Sequence, residues 1–158
     1  LCVMQNHMEL TFLACPQNEA FARVAIAAFA VQLNPTLPEM ADVKTAVSEA
    51  VTNAIVHGYR DRPQGLVRMS AAYGDDRMLT VEIHDDGCGI QDIEVAMQPF
   101  YSTGDGAERS GMGFCVMQTF MDAVDVKSRP GAGTTVTMRK AIGGELGLHR
   151  ERVLDEIG

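Results

Sequence analysis

Three polar side chains near the middle of the chain, Glu49, Asn53 and His57, recur at intervals of four residues. On an α-helix this spacing places them along one face, with roughly 6 Å between successive side chains. A carboxylate can serve as a general base, and an amide oxygen can bind a hard cation such as Mg²⁺. An ordinary solvated helix face would also be polar, and His57 could simply cap its helix, so the spacing alone leaves both interpretations open.

Two glycine motifs provide further candidates. Residues 85–89 (DDGCG) follow a predicted strand, which places the Asp85 carboxylate at the strand end beside glycines that let a flat ligand approach the backbone. Residues 109–113 (RSGMG) precede a predicted helix, so backbone N–H groups and Arg109 could hold phosphate oxygens. An ordinary turn and an ordinary helix entrance would look the same. Neither motif is a dinucleotide fingerprint or a P-loop.

The elements that position these motifs follow from the spacing of apolar residues. Alternation predicts strands at residues 8–14, 65–73, 78–84, 124–129 and 134–140. Helical spacing predicts helices at residues 19–33, 39–57 and 112–121, the first with Asn18 as its N-cap. Segment 91–110, which contains proline and several glycines, is predicted to be a lid. Together, these elements predict a sheet with helices on one face.

Composition narrows the class of protein. With 158 residues, 46% of them hydrophobic, the chain suits one domain with a substantial core. Its 13 Lys and Arg against 21 Asp and Glu give a net charge of −8, which argues against nucleic acid as the main ligand. No secretory signal or apolar run of about 20 residues is found, so we expect a soluble, cytoplasmic protein with no membrane partner. The four cysteines form no C-x-x-C pair, which argues against zinc and a disulfide framework.

The order of the motifs is more specific than any one of them. Glu-x-x-x-Asn on a helix, D-x-G-x-G after a strand, a lid, G-x-G at a helix start and Gly-Thr-Thr in the last hairpin follow one another. This combination resembles the ATP-binding domain shared by gyrase, heat-shock chaperones, histidine kinases and MutL, the GHKL superfamily. The resemblance implies an α+β fold of the Bergerat type, a two-layer α/β sandwich whose mixed, mostly antiparallel sheet has helices on one face.

Two longer strings, residues 48–59 (SEAVTNAIVHGY) and 108–114 (ERSGMGF), resemble the sporulation anti-sigma F factors of endospore-forming bacteria. The likeness covers residues 4–142 as one kinase and anti-sigma domain, and it leaves 143–158 as a tail of unknown role. It implies a homodimer that inhibits a sporulation sigma factor and uses Mg-ATP to phosphorylate an anti-anti-sigma (STAS-type) antagonist on serine. A nucleotide-dependent anti-sigma module without kinase activity and a detached histidine-kinase ATPase domain are the alternatives.

The resemblance also implies roles for individual residues. Glu49 would be the general base that deprotonates a serine hydroxyl, and Asn53 would bind a Mg²⁺ ion that is held mainly by ATP. Asp85 would accept a hydrogen bond from the adenine amino group, with help from Thr134 or Thr135. This recognition would select adenine over guanine, because guanine has a carbonyl at that position.

Glycines and arginines complete the implied sites. Gly87 and Gly89 would let adenine lie close to the backbone. The residues that would hold the β- and γ-phosphates of ATP or ADP are Arg109, Gly111 and Gly113. On the first helix, Arg23 is the candidate contact to the sigma factor and its antagonist, although an exposed structural arginine would look the same.

Overall fold

Five strands form a single sheet in the computed structural model, which describes residues 1–60, 62, 64–98 and 113–143. The strands are β1 (Met4–Leu13), β2 (Leu66–Gly74), β3 (Met78–Asp85), β4 (Ala123–Ser128) and β5 (Thr134–Ala141). Their spatial order is β1-β2-β3-β5-β4, and every neighbouring pair is antiparallel. The predicted α+β fold class is confirmed, with antiparallel pairing throughout the described strands in place of the mixed sheet that we expected.

Of the helices that the structure describes, three pack together above this sheet, and a fourth consists of a single turn. They are α1 (Gln17–Ala30), α2 (Leu37–Asn53), α3 (Ile93–Ala96) and α4 (Gly113–Phe120). A short 3-10 segment, Val31–Leu33, extends α1, and a π-helical turn, Ala54–Gly58, extends α2. Helix α2 lies in the middle, in contact with α1 on one side and α4 on the other. The three predicted helices are therefore confirmed.

The buried face of the sheet follows from alternation along the strands. In β3, Leu79, Val81 and Ile83 are buried, whereas Glu82 between them is exposed on the opposite face. The same period of two continues to the last residue of β3 and places Asp85 on the buried face as well. The alternation along β3 thus places the Asp85 carboxylate beneath the helices, at a position where an apolar residue would be expected.

Helix α1 begins earlier than predicted. Its first residue is Gln17, and Pro16 before it already has a helical φ of −55°. The prediction that Asn18 is the N-cap is wrong, because the fixed φ of proline suits the start of a helix and lets it begin sooner. The Asn18 side chain points back along the chain and donates a hydrogen bond from Nδ2 to the Leu13 carbonyl at 2.9 Å.

Helix α2 is fixed at its start by a capping box. The Thr36 hydroxyl accepts a hydrogen bond from the Glu39 N–H at 3.2 Å, and the Glu39 carboxylate accepts one from the Thr36 N–H at 2.8 Å. Its Val43, Val47 and Val51 side chains are fully buried at intervals of four residues. This burial fixes the rotation of α2 and therefore the direction of the polar residues on its other faces.

The described part of the predicted lid is small. It contains α3, whose first N–H groups are capped by the Asp92 carboxylate through the Val95 N–H at 3.1 Å. The remainder of the lid, residues 99–110, lies outside the described residues, as do residues 111–112 and the tail from 144 onward. Among the helices of the described ranges, none has the length and apolar character needed to cross a bilayer.

Candidate functional site

The side chain of Asn53, the last residue of α2, lies against the first residue of α4. A Cβ atom added to Gly113 would fall 2.9 Å from Asn53 Nδ2 and 3.1 Å from Asn53 Oδ1. A glycine at position 113 therefore gives the amide room at the start of α4. Two residues from separate sequence motifs, predicted to bind Mg²⁺ and phosphate, are brought together here.

One turn before Asn53, Glu49 is half-buried on the same helix. Burial, and after it the negative charge of Glu19 on α1, raises the pKa of the Glu49 carboxyl above its ordinary value. A carboxylate with a raised pKa holds a proton more strongly than an exposed one. The environment thus makes Glu49 a better proton acceptor than a surface glutamate.

The Asp85 carboxylate lies at the end of β3 and is 4% exposed. Its Oδ1 accepts a hydrogen bond from the Gly87 N–H at 2.9 Å. Burial is the main cause of a raised pKa for this carboxyl, and the Gly87 N–H acts in the opposite direction. A buried carboxylate that carries hydrogen bonds is a strong acceptor for a ligand N–H group.

Glycine backbones surround Asp85. A Cβ at Gly58 would lie 2.7 Å from Asp85 Oδ1, and a Cβ at Gly133 would lie 2.1 Å from the Asp85 carbonyl oxygen. A Cβ at Gly87 would fall 1.9 Å from the Gly58 carbonyl oxygen. Three segments therefore meet around Asp85: the end of the π-helical turn, the loop after β3 and the residue before β5. They can approach one another this closely only because these three positions are glycines.

The loop after β3 is joined to the β4–β5 turn. The Cys88 carbonyl accepts a hydrogen bond from the Gly131 N–H at 2.7 Å. Gly89 has a φ of +72°, and a Cβ there would fall 1.9 Å from the Arg129 carbonyl oxygen. The positive φ of Gly89 and its close contact with the Arg129 carbonyl both exclude a side chain. A glycine is therefore needed at position 89 for the loop after β3 to pack against the β4–β5 turn.

Of the two candidate threonines, only Thr134 shares the face of Asp85. In the β3–β5 register, Thr134 pairs with Asp85, whereas Thr135 pairs with His84 on the opposite face. The Thr135 hydroxyl is hydrogen-bonded to His84 Nδ1 at 2.7 Å. The Thr134 hydroxyl lies 2.8 Å from the Ser128 hydroxyl, a partner to which no sequence motif pointed. The expected alternative of Thr135 beside Asp85 is therefore wrong.

His57 does not continue the helical face of Glu49 and Asn53 at α-helical spacing. It lies in the π-helical turn Ala54–Gly58, whose closing hydrogen bond runs from the Tyr59 N–H to the Ala54 carbonyl at 3.1 Å. A π-helical turn contains an extra residue and rotates the residues beyond it. Burial, and then the charge of Arg60, lowers the pKa of His57, which favours a neutral imidazole at this position.

Tyr59 is a site residue to which the sequence patterns assigned no role. Its ring is buried, and its hydroxyl donates a hydrogen bond to the Leu66 carbonyl at 2.6 Å. The same oxygen accepts one from the Asp86 N–H at 2.7 Å. Tyr59 therefore ties the residue after Asp85 to β2. A tyrosine directly after the helix-ending glycine is the one sequence signal for this contact.

Replacing Tyr59 with phenylalanine is expected to lower the free energy of unfolding by about 1–2 kcal/mol, because the Leu66 carbonyl and the Asp86 N–H both lose a partner. Urea unfolding measures this change. Tyr73→Phe is the matched control, since the Tyr73 hydroxyl donates to the exposed Gln32 side chain. An equal loss of stability in both variants would contradict the bridging role of Tyr59.

Three predicted site residues lie away from Asp85 and Asn53 or outside the described ranges. Arg109 and Gly111 are outside the described residues, so their predicted contacts to phosphate stay predictions. Arg23 lies on α1 with its side chain 43% exposed, and its Nη1 is 3.6 Å from Glu19 Oε1. Nearly half of its surface is thus accessible for contact with a protein.

Known families and proteins resemble this chain over most of its length. Residues 12–140 match the model of the histidine kinase-like ATPase domain. An anti-sigma F factor from Thermoanaerobacter sp. strain X514 is 55% identical over 140 residues, which are 89% of this chain and 96% of the relative. The chain belongs to the anti-sigma F factors of this ATPase family. The family predicted from the motifs is confirmed, and the ATPase domain implies that the chain binds a nucleotide.

Other members of the family are similarly close. The anti-sigma F factor of Clostridium beijerinckii is 56% identical over 135 residues, covering 85% of this chain and 94% of that protein. The anti-sigma F factor of Halalkalibacterium halodurans is 53% identical over 137 residues, covering 87% and 93% of the two chains.

Solved structures share the fold at low sequence identity. The RsbU and RsbW domains of a Mycobacterium tuberculosis protein match with a TM-score of 0.65 and 18% identity, covering 87% of this chain and 33% of that one. The histidine kinase domain of a blue-light activated histidine kinase from Erythrobacter litoralis matches with a TM-score of 0.51 and 20% identity, covering 79% and 61%.

Proposed function

We propose that this anti-sigma F family member is a Mg-ATP-dependent serine kinase that inhibits a sporulation sigma factor and phosphorylates the antagonist that releases it. The observation that carries the proposal is the position of Glu49, a half-buried carboxylate one helical turn from Asn53, whose amide lies on the start of α4. The names of relatives that cover nearly the whole chain supply the class of partner. A binding module without transfer would have no use for a base at this place.

Adenine binding is assigned to the buried end of β3. The Asp85 carboxylate accepts a hydrogen bond from the adenine amino group, and the Thr134 hydroxyl lies on the same face to add a second polar contact. The base is proposed to lie close to the backbone at Gly87 and Gly89, where the absence of side chains lets the loop pack on Gly58 and Arg129. Guanine would present a carbonyl oxygen to the Asp85 carboxylate, and the two acceptors would repel each other.

Phosphate and metal binding are assigned to the junction of α2 and α4. The Asn53 amide oxygen is a suitable ligand for Mg²⁺, which prefers oxygen ligands and takes most of them from phosphates and water. When bound, Mg²⁺ would neutralise the charge on the phosphates. Gly113 leaves the room that the Asn53 amide occupies. Arg109 and Gly111 are proposed to hold the β- and γ-phosphates.

Transfer then needs a deprotonated serine. Glu49 takes the proton of the partner's serine hydroxyl as its oxygen forms a bond to the γ-phosphorus, while the bond from that phosphorus to the bridging oxygen breaks and ADP leaves. The raised pKa of Glu49 helps it to accept this proton. The chain's main contribution is to orient the reacting groups and stabilise their charge.

Two kinds of protein contact are proposed: contacts of α1 with the sigma factor and the antagonist, and contacts between two copies of the chain in a homodimer. Arg23, half-exposed on α1, is proposed to pair with acidic groups of the sigma factor and the antagonist. The homodimer is proposed from the family resemblance. Light scattering on the purified chain should give the mass of two copies, and a mass of one copy at micromolar concentration would contradict the dimer.

The experiment that tests the function is an incubation of the purified chain with Mg-ATP and the antagonist protein. The intact mass of the antagonist should increase by one phosphoryl group with the wild type and stay unchanged with Glu49→Gln. A binding assay with the sigma factor, with and without nucleotide, runs in parallel. Nucleotide-dependent sigma binding without any transfer would instead establish the non-kinase anti-sigma module.

A further inference from the structure

The first turn of α1 brings a second carboxylate to the neighbourhood of Glu49. Glu19 accepts a hydrogen bond from the Ser48 hydroxyl of α2 and lies 3.6 Å from Arg23 one turn along α1. Its side chain is only 23% exposed. Because α1 and α2 pack side by side, this contact links the proposed protein-binding helix directly to the helix that carries the base.

Glu19 acts on Glu49 through its charge. The negative charge of Glu19 adds to burial in raising the pKa of Glu49, and Ser48, the residue directly before Glu49, holds the Glu19 carboxylate in place. Arg23 partly neutralises Glu19, since the two form an ion pair at i and i+4. Helix α1 thus carries a negative charge that acts on Glu49 and, beside it, a positive charge that is paired with the first.

The other elements packed on α2 add little charge near Glu49. Helix α4, Gly113–Phe120, has no acidic or basic residue. Of the buried residues that the structure describes, Asp85 is the one with a charged side chain, and it lies under Gly58 at the far end of the π-helical turn. On α2 itself, Glu39, Asp42 and Lys44 all lie more than one turn before Glu49, and Asp42 is paired with Lys140 of β5 at 3.3 Å. Within the described residues, α1 is thus the main source of charge that acts on Glu49.

We propose that Glu19 is a positioning residue for the phosphoryl-transfer reaction, held by Ser48 and balanced by Arg23, and that it couples occupation of α1 by an acidic partner to the strength of the base Glu49. This inference rests on the proposed role of Glu49. When an acidic group of a partner pairs with Arg23, the positive charge of Arg23 neutralises Glu19 less. The negative charge of Glu19 then makes Glu49 hold a proton more strongly. Docking of an acidic partner would in this way make the base stronger at the moment it is needed.

The test compares variants that change one charge each. Glu19→Gln removes the negative charge but keeps an oxygen for the Ser48 hydroxyl, and Arg23→Gln removes the balancing positive charge. The titration midpoint of Glu49 is measured by NMR on the chain labelled with ¹³C at glutamate carboxyls, with the resonance assigned by its loss in Glu49→Gln. Relative to wild type, the midpoint should move to lower pH in Glu19→Gln and to higher pH in Arg23→Gln.

The control is Glu82→Gln, which removes the same charge from the exposed face of the sheet. It should leave the Glu49 midpoint where it is in the wild type. Thermal melts establish that each variant is folded. The proposal is overturned when Glu19→Gln shifts the midpoint no more than Glu82→Gln does, or when both α1 variants shift it in the same direction.

A kinetic readout separates this proposal from the proposed function. In the transfer assay, the acidic limb of the pH–rate profile should move in the same direction as the midpoint in each α1 variant. If Glu49→Gln still transfers phosphate, the role of Glu49 as base fails, yet the NMR midpoints still report whether Glu19 acts on Glu49. Failure of one claim is thus distinguishable from failure of the other.

Discussion

Replacing Glu49 with glutamine is expected to lower the rate of phosphoryl transfer by roughly 10²–10⁴-fold, the usual contribution of a general base. Glutamine keeps the size of the side chain but cannot take the proton of the serine hydroxyl. Affinity for Mg-ATP should change by less than about threefold, because the proposed ATP contacts are made by other residues. Single-turnover transfer and calorimetric titration with Mg-ATP measure the two quantities separately.

Glu82→Gln is the matched control, since Glu82 is an exposed glutamate on the other face of the sheet. Because the pKa of Glu49 is raised, wild-type activity should begin to fall at a higher pH on acidification than it would with an ordinary glutamate as base. Transfer by Glu49→Gln at a rate within tenfold of the wild type would exclude Glu49 as the base.

Replacing Asp85 with asparagine is expected to reduce affinity for ATP by roughly 100-fold or more. A charge-assisted hydrogen bond from the adenine amino group is lost, and the asparagine NH₂ group can face the adenine NH₂ group. Asp86→Asn is the matched control, because Asp86 is the adjacent carboxylate and its side chain is 78% exposed. Calorimetric titration should show the loss in the first variant alone. Unchanged affinity in Asp85→Asn would remove the adenine assignment.

Although Asp85→Asn should weaken ATP binding, it should not destabilise the folded protein at neutral pH. Burial raises the folded-state pKa of Asp85 above its unfolded value, so its ionisation costs folding free energy at neutral pH. This cost disappears as the pH falls through the folded-state pKa. Asp85→Asn removes it at every pH, so without nucleotide the variant should melt no lower than the wild type at neutral pH. Loss of ATP binding with retained stability would separate a ligand-binding role from a structural one.

Period-two alternation was sufficient to predict the central strands. Residues 78–84 were predicted and Met78–Asp85 is observed, because Leu79, Val81 and Ile83 are buried against the helices. The first strand was predicted from residue 8 but begins at Met4. Residues 4–8 are mostly exposed and pass through an irregularity in the pairing with β2, so burial imposes little pattern there.

The candidate site was predictable where it depends on local spacing. Glu49 and Asn53 share one turn of α2, and Asp85 ends a strand, as the motifs indicated. The choice between Thr134 and Thr135 was not predictable, because it depends on the register between β3 and β5, and a shift of one residue reverses the face. The contact of Tyr59 with Asp86 joins residues 27 positions apart, and local spacing contains no information about it.

The π-helical turn Ala54–Gly58 limits how this domain can be redesigned. Its extra residue sets the angle at which Gly58 meets Asp85, after Asn53 has already been placed against Gly113. Deleting one residue to make the helix regular would rotate everything beyond it by about 100° and separate the two halves of the proposed nucleotide site. Shortening this helix to make it regular would therefore disturb the geometry around Asp85. Substitutions that keep its length and retain Gly58 would leave that geometry in place.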